Sequence, residues 1–193
     1  MFIWLFINFL NICFKIKGRW SFGKFYFPSK SLFLLYYSLV HPYLHYCNLA
    51  WASTYVSNLK WLILLQKQIV RSIERAEDYL ASSEPIFKKL EALKVTEINS
   101  LQKGIFMFSY CNHLLPACFN DLFISGSQVH CHHTRSANNL RSHCCRTTLK
   151  LLSITHQGPL LWNSLDDSLT YLSSLSKFKT IFKAVFLKAY SSD

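Results

Sequence analysis

The sequence predicts a mainly helical protein, with a small helical bundle over residues 31–116. Residues 117–193 are then expected to form a loop-rich segment with a short β element and a C-terminal amphipathic helix. Three observations favour this class: apolar residues recur at helical spacing, the links between those stretches are short, and five Gly and five Pro are too few for a disordered chain. With 193 residues, 51% of them hydrophobic, the chain can bury a sizeable core.

The positive charge of the chain is large and unevenly distributed. Its 21 Lys and Arg outnumber the 10 Asp and Glu, which gives a net charge of +11. Residues 1–54 hold five basic and no acidic residues, 55–115 hold eight against six, and 116–193 hold eight against four. This balance favours polyanionic partners, either nucleic acid or an anionic membrane surface.

Residues 1–16 form an apolar stretch that two asparagines interrupt, and it is shorter than the roughly 20 residues of a membrane-spanning helix. Lys15, Lys17 and Arg19 follow the apolar run instead of preceding it, and no small-residue cleavage site comes after them, unlike in a signal peptide. We therefore expect residues 1–30 to be a leader foreign to the rest of the chain. An uncleaved membrane anchor formed by residues 1–16 is the alternative.

The folded part is expected to begin with two short helices. The first, a short helix or a buried segment, starts at Ser31 and ends at His41 and Pro42, because the residue before a proline avoids helical backbone angles. Pro42 opens the second, which runs to Ala52, because the fixed φ of proline suits a first helical turn.

The strongest helical pattern lies within residues 53–73. Its apolar side chains recur at spacings of three, four and seven residues and line one face: Leu59, Leu62, Ile63, Ile69, Val70 and Ile73. Ser57 or Asn58 is expected to cap the first turn. Four basic residues fall mostly on the other side: Lys60, Lys67, Arg71 and Arg75. On pattern alone, this is a core helix with a solvated basic face.

Two further helices complete the predicted bundle. Glu84 and Pro85 open the shorter one, because proline is tolerated in a first turn. The longer one covers residues 96–115 and ends at Pro116. Because the connections are short, neighbouring helices are expected to pack against each other.

The last third of the chain has a different character. Residues 117–150 are polar, rich in His and Cys and without periodicity. Residues 147–154 predict a short strand, and residues 156–159 predict a turn. Ser173 or Ser174 then caps an amphipathic helix, whose apolar face consists of Leu175, Phe178, Ile181, Phe182, Val185 and Phe186.

One cluster contains residue types that bind zinc: His130, Cys131, His132, His133, His143, Cys144 and Cys145. Structural zinc sites usually place each pair of ligands two to four residues apart, and the directly adjacent pairs here do not match that spacing. We therefore predict no metal ligands and no cofactor, and a zinc-binding interaction module is kept as an alternative.

The sequence contains no motif of an enzyme. Asp166 and Asp167 would need a third acidic residue and a tight hairpin to hold two catalytic metal ions, and they are expected in the turn before the last helix. Nucleophile, zinc-protease and phosphate-loop motifs are absent from the sequence, so no catalytic residue is predicted. Seven irregularly spaced cysteines argue against a secreted disulfide framework and favour a reducing, intracellular compartment.

A basic loop over residues 134–147 is a candidate for gripping nucleic acid. It contains Arg135, Arg141 and Arg146, whose guanidinium groups can bind a phosphate through two hydrogen bonds. Neighbouring hydroxyl groups and histidines add donors. However, loops of this composition are also typical of protein surfaces that bind no nucleic acid.

Eight phrases, in order, resemble the C-terminal portion of reverse transcriptases from LINE-type, jockey-like non-LTR retrotransposons. They are SLVHPYLHYCNLAWASTY, SNLKWLILLQKQIVRSI, EPIFKKLEAL, GIFMFSYCNHLLP, HTRSANN, CRTTLKLLSI, QGPLLWNSL and SLSKFKTIFK. The resemblance covers about residues 31–188. The residues at recurrent family positions are His41, Pro42, Tyr46, Cys47, Trp51, Leu65, Gln66, Lys67, Arg71, Pro116, Thr134, Arg135, Arg146, Thr147, Gly158, Pro159, Trp162 and Asn163.

This resemblance implies a thumb and the segment that follows the palm. The family's catalytic aromatic-Ala-Asp-Asp signature lies upstream of this region and does not occur in the chain, so the resemblance implies a catalytically inactive fragment. Departures from the family pattern, among them Ser82, Ser83, His132 and Asp166, indicate a decayed or truncated copy.

The resemblance also implies the partners of the fragment. They are an RNA–DNA hybrid or duplex, held through its phosphates, and the missing upstream polymerase domains. With the basic residues above, it predicts a binding set of Lys60, Lys67, Arg71, Arg75, Arg135, Arg141 and Arg146.

Overall fold

The computed structural model describes residues 26–74, 82–126, 139–142 and 144–190, and it confirms the mainly helical class. The chain divides into two compact units. The first contains the described residues up to Ile98 and from Val185, and the second contains those from Asn99 to Ala184. The predicted domains, 31–116 and 117–193, stay a prediction.

The first unit is built around one long helix. Its elements are α1 (Ser29–Leu35), a π-helical segment (Tyr36–Val40), α2 (His41–His45), α3 (Asn48–Trp51), the long α4 (Val56–Ile73), α5 (Glu84–Lys89) and the first turn of α6 (Val95–Cys111). Both α1 and α5 pack against α4.

The predicted helix end before Pro42 is wrong. Helical backbone angles continue through His41, and the π-helical segment leads directly into α2. A proline removes one backbone N–H and crowds the preceding turn, and the wider π turn lies where that disturbance falls. The second predicted helix is instead broken at Cys47, which has a positive φ of 48°.

Helix α4 confirms the predicted apolar face almost residue by residue. Five of the six predicted side chains are buried, and Ile63 is half-buried. The predicted cap is wrong, because the helix begins at Val56 after Tyr55, and no side chain caps it. The pattern did not predict that Gln66, a polar residue, is buried as deeply as its apolar neighbours.

The amide of Gln66 connects three parts of the first unit. Its nitrogen donates to the Tyr36 hydroxyl at 3.0 Å and to the Leu93 carbonyl at 2.8 Å. Its oxygen accepts from the backbone N–H of Val95 at 3.0 Å. Burial raises the pKa of Tyr36 to about 12, so this hydroxyl stays protonated as part of the network.

The second unit is also helical. Its elements are the rest of α6, a short 3₁₀ turn (Ala117–Phe119), strands β1 (Ile124–Ser125) and β2 (Leu140–Arg141), helices α7 (Thr148–Leu152), α8 (Ile154–Asn163) and α9 (Asp167–Thr170), and the first part of α10 (Leu175–Ala189). Strands β1 and β2 pair antiparallel, with Ile124 opposite Arg141.

Three predictions for this region are wrong. Residues 147–154 form helix α7 and the start of α8 instead of a strand, and the predicted turn at 156–159 lies inside α8. Pro159 lies beyond the first turn of α8, where a proline removes one helical hydrogen bond and crowds the preceding turn, and the backbone is helical there in spite of that cost. On α10, Phe178 and Phe182 are buried as predicted, whereas Ile181 and Val185 are exposed.

Aromatic rings form the core of the second unit. Phe108 stacks on Phe178 with 4.8 Å between ring centroids, and Trp162 and Phe182 lie against the same pair. Gly104 lets α6 approach this cluster, because a Cβ there would lie 2.4 Å from Cε1 of Phe182.

We expect Gly104→Ala to destabilise the protein by about 1–2 kcal/mol, although alanine favours a helix by about 1 kcal/mol. The buried Phe182 ring cannot move away from the new methyl group without disturbing the aromatic core. Gly158→Ala is the matched control, since its Cβ would meet the Met107 sulfur, which belongs to a more adaptable side chain. Urea denaturation compares the two, and a larger loss for Gly158→Ala would contradict this packing account.

Candidate nucleic-acid interface

The predicted basic residues of α4 differ in exposure. Lys60 is exposed near the start of the helix, whereas Lys67 and Arg71 are half-buried. Lys94 and, more weakly, Lys67 lower the pKa of the Glu84 carboxyl, so part of the positive charge at this end of α4 faces an acid. Glu74 pairs with Lys89 at 2.6 Å. The exposed cation of α4 is thus Lys60, beside Trp61, whose exposed fraction is 69%.

A small ionic cluster fixes the start of α6. Lys94 pairs with Glu84 at 2.5 Å, and its ammonium lies 4.6 Å from the centroid of the Tyr190 ring. The Glu97 carboxylate accepts from the backbone N–H of Lys94 at 3.0 Å and from the Tyr190 hydroxyl. This acid therefore caps its own helix by reaching back three residues.

The charge of Glu97 is less favourable in the folded chain than in the unfolded one, because burial raises the pKa of its carboxyl above the ordinary 4.5. For a carboxyl with a raised pKa, the stabilising contribution is complete below the unfolded pKa. It is lost as the pH rises through the higher, folded pKa.

We therefore expect the stability of Glu97→Gln, measured relative to the wild type, to be higher at pH 7 than at pH 4. The neutral amide still accepts both hydrogen bonds. Glu97→Ala loses both and should cost about 1–2 kcal/mol. Urea denaturation at the two pH values checks this. If the free energy of unfolding of Glu97→Gln falls relative to that of the wild type between pH 4 and pH 7, the burial argument is contradicted.

In the second unit, Asn163 fixes the strand that carries Arg141. The Asn163 amide nitrogen donates to the Leu140 carbonyl at 2.8 Å, and its oxygen accepts from the Leu140 N–H at 3.1 Å. This pair of bonds holds β2 against the end of α8, and β1 pairs with its other edge. The adjacent Arg141 side chain is exposed.

Helix α8 is the common support of the basic residues in this region. Both β2 and α7 pack against α8, and Arg146 lies in the chain between them. Arg146 is exposed, as is Lys150 on α7. We call Arg141, Arg146 and Lys150 the α8-supported cations. Among the residues that the structure describes, every ion pair lies in the first unit. The three α8-supported cations therefore form no ion pair with a described acidic residue.

The structure therefore distributes the predicted binding set over both units. Lys60, Lys67 and Arg71 belong to the first unit, and Arg141 and Arg146 belong to the second. Arg75 and Arg135 lie outside the described residues. Phosphate binding by any of the seven stays a prediction.

Sequence reasoning missed two residues of this region. Lys150 is not included in the predicted binding set, because residues 147–154 are expected from the sequence to form a strand and not the helix that carries it. The sequence around Asn163 does not indicate its role, because its partner Leu140 is 23 residues earlier in the chain.

The other predicted features are only partly described. Of the zinc-type cluster, the structure describes Cys144, which is exposed, and Cys145, which is half-buried. Over the described ranges, no three His, Cys, Asp or Glu side chains come together as metal ligands. Asp166 and Asp167 are exposed at the start of α9. No helix in the described part of the chain has the length and apolarity to cross a bilayer, and residues 1–16 lie outside it.

Comparison of the chain with protein-family models, curated proteins and solved structures gives no match.

Proposed function

We propose that the protein binds the phosphate backbone of an RNA–DNA hybrid or duplex, and that it is a fragment of a non-LTR retrotransposon reverse transcriptase without its catalytic palm. The observation that carries the binding proposal is the set of α8-supported cations. Arg141, Arg146 and Lys150 are exposed, and elements that pack against one helix carry or flank them.

Three features support binding through phosphates. Two of the three cations are arginines, which pair with phosphate through two parallel hydrogen bonds. The net charge of +11 attracts any polyanion over a distance of about 10 Å at ordinary salt. Helix α7, which carries Lys150, is only one turn long, too short to serve as a recognition helix in a major groove.

The origin of the fragment is proposed from the ordered phrases of the sequence. Several residues at recurrent family positions have structural roles that suit a retained domain: Gln66 joins three segments, Asn163 holds β2, and Gly158 lies buried against Met107. These roles support the proposal of a fragment that binds nucleic acid and is catalytically inactive.

The test is a fluorescence anisotropy titration of the full chain with a labelled 20-base-pair RNA–DNA hybrid. We expect binding at about 50 mM salt, with an affinity that falls as salt rises by about 0.9 logarithmic units per phosphate contact and tenfold change in salt. Three contacts give a slope of about 2.7. A chain that is folded by circular dichroism and does not bind at about 50 mM salt would refute the proposal.

A further inference from the structure

A cysteine–histidine pair lies beside the α8-supported cations. The Cys145 sulfur is 3.5 Å from Nδ1 of His156, which belongs to the first turns of α8. Both side chains are half-buried, so they are held in place yet reachable by a small molecule. The contact joins the segment before α7 to the helix that supports it.

This arrangement contains the parts of an activated thiol. The thiolate is the nucleophilic form of cysteine, and a neighbouring imidazole activates it by accepting the thiol proton. The next residue in the chain, Arg146, adds a positively charged side chain beside this pair.

We infer that Cys145, paired with His156, is a site of covalent modification by small soft electrophiles. In the reaction with iodoacetamide, the sulfur forms a bond to the methylene carbon while the carbon–iodine bond breaks and iodide leaves. The thiol proton passes to Nδ1 of His156 and from there to water. No oxidant or metal ion takes part. This inference is independent of nucleic-acid binding.

The chain provides internal standards for the comparison. Cys47, Cys118 and Cys144 are exposed. Cys144 is the closest match, because it precedes Cys145 directly and has no sulfur–imidazole contact recorded within the described residues. Cys111 is the opposite standard, since burial raises the pKa of its thiol to about 11 and keeps it in the unreactive form.

The test is alkylation of the full chain by a limiting amount of iodoacetamide at pH 7, with each cysteine quantified by peptide mass spectrometry. We expect Cys145 to react about tenfold faster than Cys144, because the imidazole in contact with its sulfur can accept the thiol proton during the reaction. His156→Asn should bring the two rates together and leave Cys118 unchanged. His113→Asn, at an exposed histidine of the same unit, is the matched control and should change neither rate.

Two results would overturn the inference. One is a Cys145 rate in the wild type that is no higher than that of Cys144, which decides the question even if the His156 variant does not fold. The other is a Cys145 that reacts only after treatment with EDTA, because that behaviour indicates a thiol held by a metal ion.

Discussion

We expect Gln66→Leu to lower the free energy of unfolding by about 3–5 kcal/mol, although leucine suits a buried helical position better than glutamine. The substitution leaves the Val95 N–H, the Leu93 carbonyl and the Tyr36 hydroxyl without the partner that they have in the wild type. Each buried polar group without a hydrogen bond costs about 1–3 kcal/mol. Burial makes the loss large, because water cannot replace the missing amide.

Gln68→Leu is the matched control, since it makes the same chemical change two residues later on α4. Its side chain is half-buried and makes no hydrogen bond recorded in the described part of the chain, so the expected change is within about 0.5 kcal/mol. Urea denaturation followed by circular dichroism measures both variants. Equal losses would show that Gln66 acts only as a core-filling residue.

The second large effect concerns nucleic-acid binding. We expect the triple variant Arg141→Gln, Arg146→Gln and Lys150→Gln to weaken binding to an RNA–DNA hybrid about 100-fold at about 50 mM salt. The salt slope should fall by about one per cation removed, because each lost phosphate contact releases fewer counterions. Anisotropy titrations over a range of salt concentrations measure both quantities.

A second triple variant separates position from net charge. Lys177→Gln, Lys179→Gln and Lys188→Gln removes the same charge from exposed positions on α10, an element that carries none of the α8-supported cations. We expect a loss of less than about tenfold and a largely unchanged slope, because long-range attraction alone is screened by salt. If both triple variants lose affinity equally, binding depends on overall charge and the α8-supported cations have no special role.

The helical pattern of α4 could be predicted because one face meets the core of its own unit, so local spacing and burial agree. The helix boundaries could not. His41 is helical in spite of Pro42, because the π-helical segment absorbs the disturbance. Local sequence preferences do not predict a π-helical segment at this position. Residues 147–154 favour a strand locally, yet they form helical turns in the structure, and α8 packs against α7. Tertiary packing outweighs propensity there.

The candidate site shows the same division. Arg141 and Arg146 could be named from the sequence, because arginine and phosphate have complementary shapes wherever the arginine lies. What positions them could not be named, since Asn163 acts on Leu140 across 23 residues of chain. The buried role of Gln66 could not be predicted either, because its partners in the segment after α5 are 27 and 29 residues away.

Lysine footprinting of the bound protein tests the central claim most directly. The full chain is acetylated briefly with acetic anhydride, with and without a saturating RNA–DNA hybrid, and each lysine is quantified by mass spectrometry. We predict that the hybrid protects Lys150, while the exposed Lys177 and Lys179 on α10 are labelled as in the free protein. Equal labelling of Lys150 in the free and bound protein would contradict the claim that the α8-supported cations hold the phosphates.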